Sequence, residues 1–262
     1  MTEIEVVESG SGVPLLFLPG SYSTPAAWRP LQKLLPAGYR LLSTSLPGYG
    51  ASAETRSAAD SGMAHLVRHV ERLARRVEGP FFLVGHSFGG TVALATALAG
   101  TLPLAGLALF EANPLALIRE RGDERLYRET LALSEAFAAA VAAGEADAAG
   151  RIIDFWGGPG SFAALPAGVR DYCRSTAATN VLDWRTDFGF AAGRADYARL
   201  SMPVLLVRGA LANPAMLSMT AALAEALPAA RSAVVPGAGH FLISSHPADC
   251  ARLLAGFLAD AA

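Results

Sequence analysis

Cysteine is scarce in this chain: Cys173 and Cys250 are its only two among 262 residues. Two thiols cannot build a disulfide framework, and neither lies in a C-x-x-C pair or beside grouped histidines, so no metal site is expected. No uninterrupted apolar run approaches the ~20 residues that cross a bilayer, although hydrophobic residues make up 52% of the chain. The start, Met1-Thr2-Glu3-Ile4-Glu5, is acidic and lacks the basic-then-apolar layout of a secretion signal. A net charge of −2 points to neither nucleic acid nor a membrane as partner. The basic cluster Arg68, Arg72, Arg75 and Arg76 falls at helical spacing and reads as the solvated face of an amphipathic helix. With two unpaired thiols and no export signal, a reducing cytoplasm is the expected compartment. Oligomeric state has no signature in the sequence.

What is present is an alternation of strand and helix signals. Val13 to Leu18 is a short apolar run closed by Pro19-Gly20, and Tyr39 to Ser45 is a second, closed by Leu46-Pro47-Gly48-Tyr49-Gly50. Met63 to Val77 carries apolar residues at helical spacing, which predicts a helix whose His65 and His69 lie at the surface. Pro80 to Val84 and Leu104 to Phe110 are further strands around a helix of small residues. Strands alternating with helices predict a mostly parallel sheet covered on both faces. From Leu115 to Arg194 the pattern changes to helices and loops, with Leu126 to Ala143 helical and Trp156-Gly157-Gly158-Pro159-Gly160 a loop. The sheet resumes at Pro203 to Gly209, followed by a helix from Met216 to Leu227, a strand from Ser232 to Pro236 and a last helix from Pro247. The expected organisation is one α/β core, residues 1–114 and 195–262, interrupted by a helical cap, residues 115–194.

The stretch with the most chemical content is Gly85-His86-Ser87-Phe88-Gly89, between an apolar strand and a helix. A serine on such a turn is forced outward beside helix N-terminal amides, and flanking glycines let the turn close; this is the nucleophile elbow of serine hydrolases. Without that chemistry, Ser87 would be an ordinary helix N-cap. A serine hydroxyl needs a base, and the chain offers His65, His69, His86, His240 and His246. His240 follows a strand and a Gly-x-Gly turn, which puts it at the same carboxyl edge of the sheet as Ser87, where α/β folds bind their ligands. His86 reads as support for the elbow or pocket lining, and His246, just before Pro247, as structural.

Five landmarks in order, Leu18-Pro19-Gly20-Ser21, Leu46 to Ser52, Gly85 to Gly90, Pro203 to Gly209 and Pro236 to Phe241, give a chain that resembles the α/β-hydrolase superfamily over nearly its whole length. It is similar to the small bacterial serine esterases with a helical cap. The resemblance implies an oxyanion hole made by the backbone N–H groups of Ser21 and Phe88; the Ser21 hydroxyl reads equally as a third donor or as a loop hydrogen bond. It also implies an aspartate beyond the strand ending at Gly209, but that loop, Ala210-Leu211-Ala212-Asn213-Pro214, has no carboxylate. Asn213 could hold an imidazole without stabilising its charge. Glu111, at the end of the strand before the cap, is the substitute, since some members of the superfamily carry their acid there. A carboxylate ending an apolar strand is costly unless paired, and either His240 or nearby backbone amides would answer that cost. Asp183 and Asp187 are weaker candidates.

The expected function is hydrolysis of a small to medium, largely apolar ester through a Ser87–His240–Glu111 triad and an acyl-enzyme, with no metal or organic cofactor. The cap residues Leu115, Leu117, Ile118, Phe137, Phe155, Trp156, Phe162 and Trp184 are expected to shape the pocket or the cap's own core. Lactone and C–C bond hydrolysis are rivals on the same triad. Haloalkane dehalogenases and epoxide hydrolases of the superfamily carry aspartate where this chain has Ser87. A small-molecule receptor on the same fold, with a vestigial triad, is the rival from another class.

Overall fold

The computed structural model describes residues 3–261. Met1 and Thr2 of the acidic N-terminus, and Ala262 at the end of the expected core, lie outside them. Among the described residues seven strands form one sheet: β1 (Val6–Gly10), β2 (Val13–Leu18), β3 (Tyr39–Thr44), β4 (Phe81–His86), β5 (Leu104–Phe110), β6 (Val204–Gly209) and β7 (Ala230–Val235), in the order β1-β3-β2-β4-β5-β6-β7. β1 runs antiparallel to β3; every other pair is parallel. The expected strands appear close to their expected bounds. β1 is an addition: it is an edge strand with most of its residues exposed, so it carries no apolar run to read.

Side chains alternate across the pleat, and the two faces bury different sets. Leu16, Leu18, Leu83, Leu107, Leu109 and Leu206 enter one cluster; Leu15, Phe17, Phe82, Val84, Phe110 and Val207 enter the other. The first face is covered by α1 (Ala64–Ala74) and α2 (Phe88–Ala99), the second by the helix at the C-terminal end of the described chain. Fully burying each such side chain contributes about 1.5–3 kcal/mol. Between β5 and β6 the chain is helical throughout. It includes α3 (Glu124–Ala142), α4 (Ala148–Gly157), α5 (Ala167–Ser175) and α6 (Ala177–Phe188). α3, α4 and α6 share a third cluster, around Phe137, Trp156 and Trp184, with Met216 and Met219 of α7 (Pro214–Ala226), and Cys173 of α5 joins a fourth with Ile153 and Phe162. Among the described residues no helix is long and apolar enough to cross a membrane.

Two local expectations are corrected. Trp156 and Gly157 end helix α4 and are not a loop, because the preceding Ile152, Ile153 and Trp156 form one buried helical stripe. His69 of α1 is buried, not surface; its Nε2 lies 3.0 Å from Thr44 Oγ1 on β3. His65, by contrast, pairs with exposed Asp60 at 3.0 Å.

The parallel order brings backbones unusually close where β2, β4 and α2 meet. A Cβ on Gly89 would lie 2.3 Å from Pro19 O and 2.4 Å from Leu18 O, and one on Gly85 would lie 2.5 Å from Gly89 O. We expect Gly89→Ala to lower unfolding free energy by about 3 kcal/mol or more. Gly168→Ala, in open space on α5, should be neutral or stabilising by up to about 1 kcal/mol; urea unfolding of both variants checks the contrast.

Burial, with a smaller push from Arg72, lowers the His69 pKa from 6.5 to about 4. The unfolded chain therefore binds this proton first as pH falls, and stability drops between pH 6.5 and about 4. The loss from this residue should approach about 3 kcal/mol, and His69→Gln should flatten that part of the stability profile measured by urea titration from pH 7 downward.

Candidate active site

Strand register assembles the site. β4 pairs with β2 on one side (Leu18↔Gly85) and with β5 on the other (His86↔Phe110). The loops leaving β2, β4 and β5 therefore emerge side by side at the point where strand order reverses. Gly20 abuts the elbow: a Cβ there would lie 3.0 Å from Ser87 Cβ and 3.1 Å from His86 Nδ1. Ser87 N–H donates to Phe110 O at 3.0 Å, and Glu111 N–H donates to Val207 O at 2.8 Å. The loop after β7 crosses the end of β6, where a Cβ on Gly209 would lie 2.2 Å from Ala238 O; this close crossing returns His240 toward β4 and β5.

Ser87, His240 and Glu111 meet in one hydrogen-bonded line. His240 Nε2 lies 2.9 Å from Ser87 Oγ, and His240 Nδ1 lies 2.7 Å from Glu111 Oε2. All three are buried. Ser87 precedes α2 but its hydroxyl caps no amide. Glu111 Oε1 accepts the Gly209 N–H at 2.7 Å, so the carboxylate serves both the histidine and a backbone amide. Burial raises its pKa, but the hydrogen bond and charge of His240, with the Gly209 amide, outweigh that and hold it below the ordinary carboxylate range. An ionised Glu111 accepts a hydrogen bond from the Nδ1–H of His240, which leaves Nε2 as acceptor for the serine hydroxyl.

The His240 ring is sandwiched. Trp156 stacks on it at 5.0 Å and 25°, and His86 lies 5.1 Å from it. His86 Nε2 donates to His240 O at 2.9 Å, which ties the elbow to the histidine loop. Burial and the neighbouring His240 lower the His86 pKa to about 3, so this ring is neutral. Asn213 is elsewhere engaged: it caps α7 by accepting Met216 N–H at 2.9 Å, and its Nδ2 donates to Phe155 O at 2.9 Å. His246 pairs locally with Ser245 at 2.9 Å.

Among the described residues, three other than glycine have positive φ, namely Tyr22 (59°), Ser87 (52°) and Glu111 (49°). Each such conformation costs about 1–3 kcal/mol, and the strain is gathered at this site. Among the described residues no acceptor takes the N–H of Ser21 or of Phe88, and both residues line the cavity with Ser87 and His240. The Ser21 hydroxyl is already used: it donates to Asp183 Oδ2 at 2.6 Å.

The cavity measures about 70 Å³. Of the apolar cap residues singled out from sequence, Leu115, Trp156 and Trp184 line it, whereas Phe137 and Phe162 are buried in clusters of the helical segment. Ile152 and Ile153 join them, but the wall formed by α6 is polar, with Asn180, Asp183 and Asp187 all lining. Asp183 accepts from Ser21, from Tyr49 at 2.6 Å, from Arg56 at 2.7 Å and from Asn180 at 3.4 Å. Burial lifts its pKa against the pull of Arg56, Ser21 and Tyr49. Asn180 Oδ1 and Tyr22 Oη are buried without a partner, a condition that costs about 1–3 kcal/mol per group. Asp187 accepts only the Leu115 N–H, at 3.3 Å, and burial raises its pKa well above the carboxylate range. Sequence reading ranked Asp183 and Asp187 only as spare acids and passed over Asn180, Tyr22 and Arg56. The spacing Asn180, Asp183, Asp187 was visible, but it is equally that of a solvated helix face.

Both cysteines are free and buried; burial raises Cys173 to about 11 and Cys250 to about 12, so neither is a reactive thiolate. Among the described residues no group of three or more His, Cys, Asp or Glu is placed to hold a metal ion.

The ion pair of Arg56 and Asp183 joins the loop after β3 to α6 with both side chains inaccessible. We expect Asp183→Leu alone to cost about 3–5 kcal/mol, because the buried Arg56 is left with Glu54 as its one anionic partner and the Ser21 and Tyr49 hydroxyls lose their acceptor. Adding Arg56→Met should recover only part of that loss, as a double-mutant cycle by urea unfolding would show.

The chain is similar to known proteins over nearly its whole length. A sequence model described as the alpha/beta hydrolase family matches residues 15–253. A fluoroacetate dehalogenase of a Burkholderia species is 27% identical, over 98% of this chain and 91% of its own length. A pimeloyl-[acyl-carrier protein] methyl ester esterase of Nitrosomonas europaea is 27% identical, over 94% of this chain and 96% of its own. Among solved structures, a thermophilic esterase from Thermogutta terrifontis superposes with a TM-score of 0.78 at 21% identity, covering 99% of this chain and 94% of its own.

Proposed function

The chain belongs to the alpha/beta hydrolase family, and we propose that within it the protein is a serine hydrolase of small carboxylic esters. One observation carries the reading: the unbroken line Ser87 Oγ, His240, Glu111, with links of 2.9 and 2.7 Å. His240 Nε2 takes the Ser87 proton as Oγ attacks the ester carbonyl. The carbonyl oxygen, now negative, is held by the N–H groups of Ser21 and Phe88, both without other acceptors. Glu111 keeps the imidazole in the required tautomer and stabilises its positive charge. His240 then protonates the departing alcohol, and water, activated by the same imidazole, releases the acid from Ser87.

The dehalogenase name of one relative does not transfer. Displacing a halide from carbon with a serine oxygen would leave an ether, which water does not cleave under these conditions; a carboxylate nucleophile leaves a cleavable ester. The esterase name transfers more readily, since acyl transfer needs only the groups present. The cavity of about 70 Å³ suits a short acyl chain. We assign residues 115–194 as a cap, because Leu115, Trp156, Trp184 and the α6 polar wall close the cavity over Ser87. A cytoplasmic location accords with two unpaired thiols.

A fluorophosphonate probe and short p-nitrophenyl esters test the reading. Wild type should label and turn over, and Ser87→Ala should do neither; labelling that persists in Ser87→Ala overturns the nucleophile assignment. Glu111→Gln should lower kcat on the order of 10³–10⁴-fold with the fold intact, whereas Asn213→Ala should change kcat by less than about 3-fold and cost about 1 kcal/mol as a lost N-cap. The reverse pattern would move the orienting role to Asn213.

A further inference from the structure

The polar wall of α6 has no task in the acyl-transfer chemistry. Asn180 is 1% exposed, and its Nδ2 points to the Asp183 carboxylate. Turning the amide over would set two acceptors against each other, so Oδ1 is the free end, and it is an acceptor with no donor. Asp187, about two helical turns on from Asn180 along the same face, uses one oxygen for the Leu115 N–H and pairs with no cation among the described residues. Burial raises its pKa well above the ordinary carboxylate value. The Tyr22 phenol is buried and unpartnered as well. Asp183, by contrast, is saturated by four donors. Among the described residues no lysine or arginine lines the cavity, so no cation there would receive a substrate carboxylate.

We infer that the α6 wall is a binding subsite for a neutral hydroxyl on the acyl part of the substrate. Asn180 Oδ1 accepts the hydrogen bond of the substrate O–H, and the Tyr22 phenol donates to its oxygen. A hydroxyl both donates and accepts, which matches one orphan acceptor and one orphan donor; a methyl group satisfies neither. The inference rests on the serine-hydrolase reading for placing the acyl group in the cavity and the leaving group at its mouth. It deepens that reading from small apolar esters to short hydroxyacyl esters.

Compare p-nitrophenyl 3-hydroxybutyrate with its 3-methylbutyrate isostere, and with the 3-aminobutyrate and monosuccinate esters. Wild type should favour the hydroxy ester over the methyl isostere by at least about 10-fold in kcat/KM, since buried polar groups left unpaired penalise the analogue. Asn180→Leu should reduce that ratio to about 3-fold or less. Tyr22→Phe, which removes a hydroxyl that bonds nothing in the fold, should reduce it as well, and this keeps the test open if Asn180→Leu fails to fold. In parallel, binding of 3-hydroxybutanamide and 3-methylbutanamide to wild-type protein is measured by NMR titration, independently of turnover. Ser87-dependent hydrolysis with equal rates on the two esters would overturn the subsite and leave the hydrolase standing. Selective binding of the hydroxy amide without Ser87-dependent hydrolysis would do the opposite. A preference for the amino or the monosuccinate ester would overturn the hydroxyl assignment.

Discussion

Three backbone segments come together at the end of β4, with bare glycines of α2 at the contacts. The constraint is severe, because a Cβ on Gly89 would stand 2.3 Å from the Pro19 carbonyl and one on Gly90 would stand 2.6 Å from Ala112 Cβ. Only with α2 seated this closely do the loops after β2 and β5 flank Ser87. The turn into α2 then has to be made by a residue with φ near 52°, and its hydroxyl is presented outward, away from the helix it would otherwise cap. The adjacent Ser21 and Phe88 amides, the reach of Glu111 and the return of His240 across β6 all follow from that approach. The strain at Tyr22, Ser87 and Glu111 is tolerated because sheet register and helix packing over-determine the three turns.

Three buried carboxyls around one cavity meet the same desolvation cost in three ways. Glu111 stays ionised because an imidazole and a backbone amide bond its two oxygens. Asp183 is compensated by a guanidinium and two hydroxyls. Asp187 has neither, and burial raises its pKa well above the ordinary carboxylate value. Only the partners differ.

Much of the fold was legible. Apolar runs bounded by Pro and Gly marked β2, β3, β4, β5 and β6, because strands buried on both faces leave long apolar signals. β1 left none, being an exposed edge strand. Ser87 and His240 could be picked from motif and position, and Glu111 from the anomaly of a carboxylate closing an apolar strand. The cap was harder. α6 buries Asn180, Asp183 and Asp187, an inward polar face that periodicity assigns to solvent, and the helical place of Trp156 was hidden by the glycines that follow it.

The sequence by itself determined the alternation of strands and helices, the helical interruption and the elbow, because these depend on local patterning and on where glycine allows close approach. Tertiary structure alone decided which acid meets His240. Glu111 and Asn213 were both open to that role until the pairing of β5 with β6 and the crossing of the β7 loop brought one to 2.7 Å and turned the other into a helix cap. It also decided the character of the pocket wall. A polar residue at helical spacing is equally at home facing water or facing a substrate, and only the packing of α6 against the sheet edge distinguishes the two.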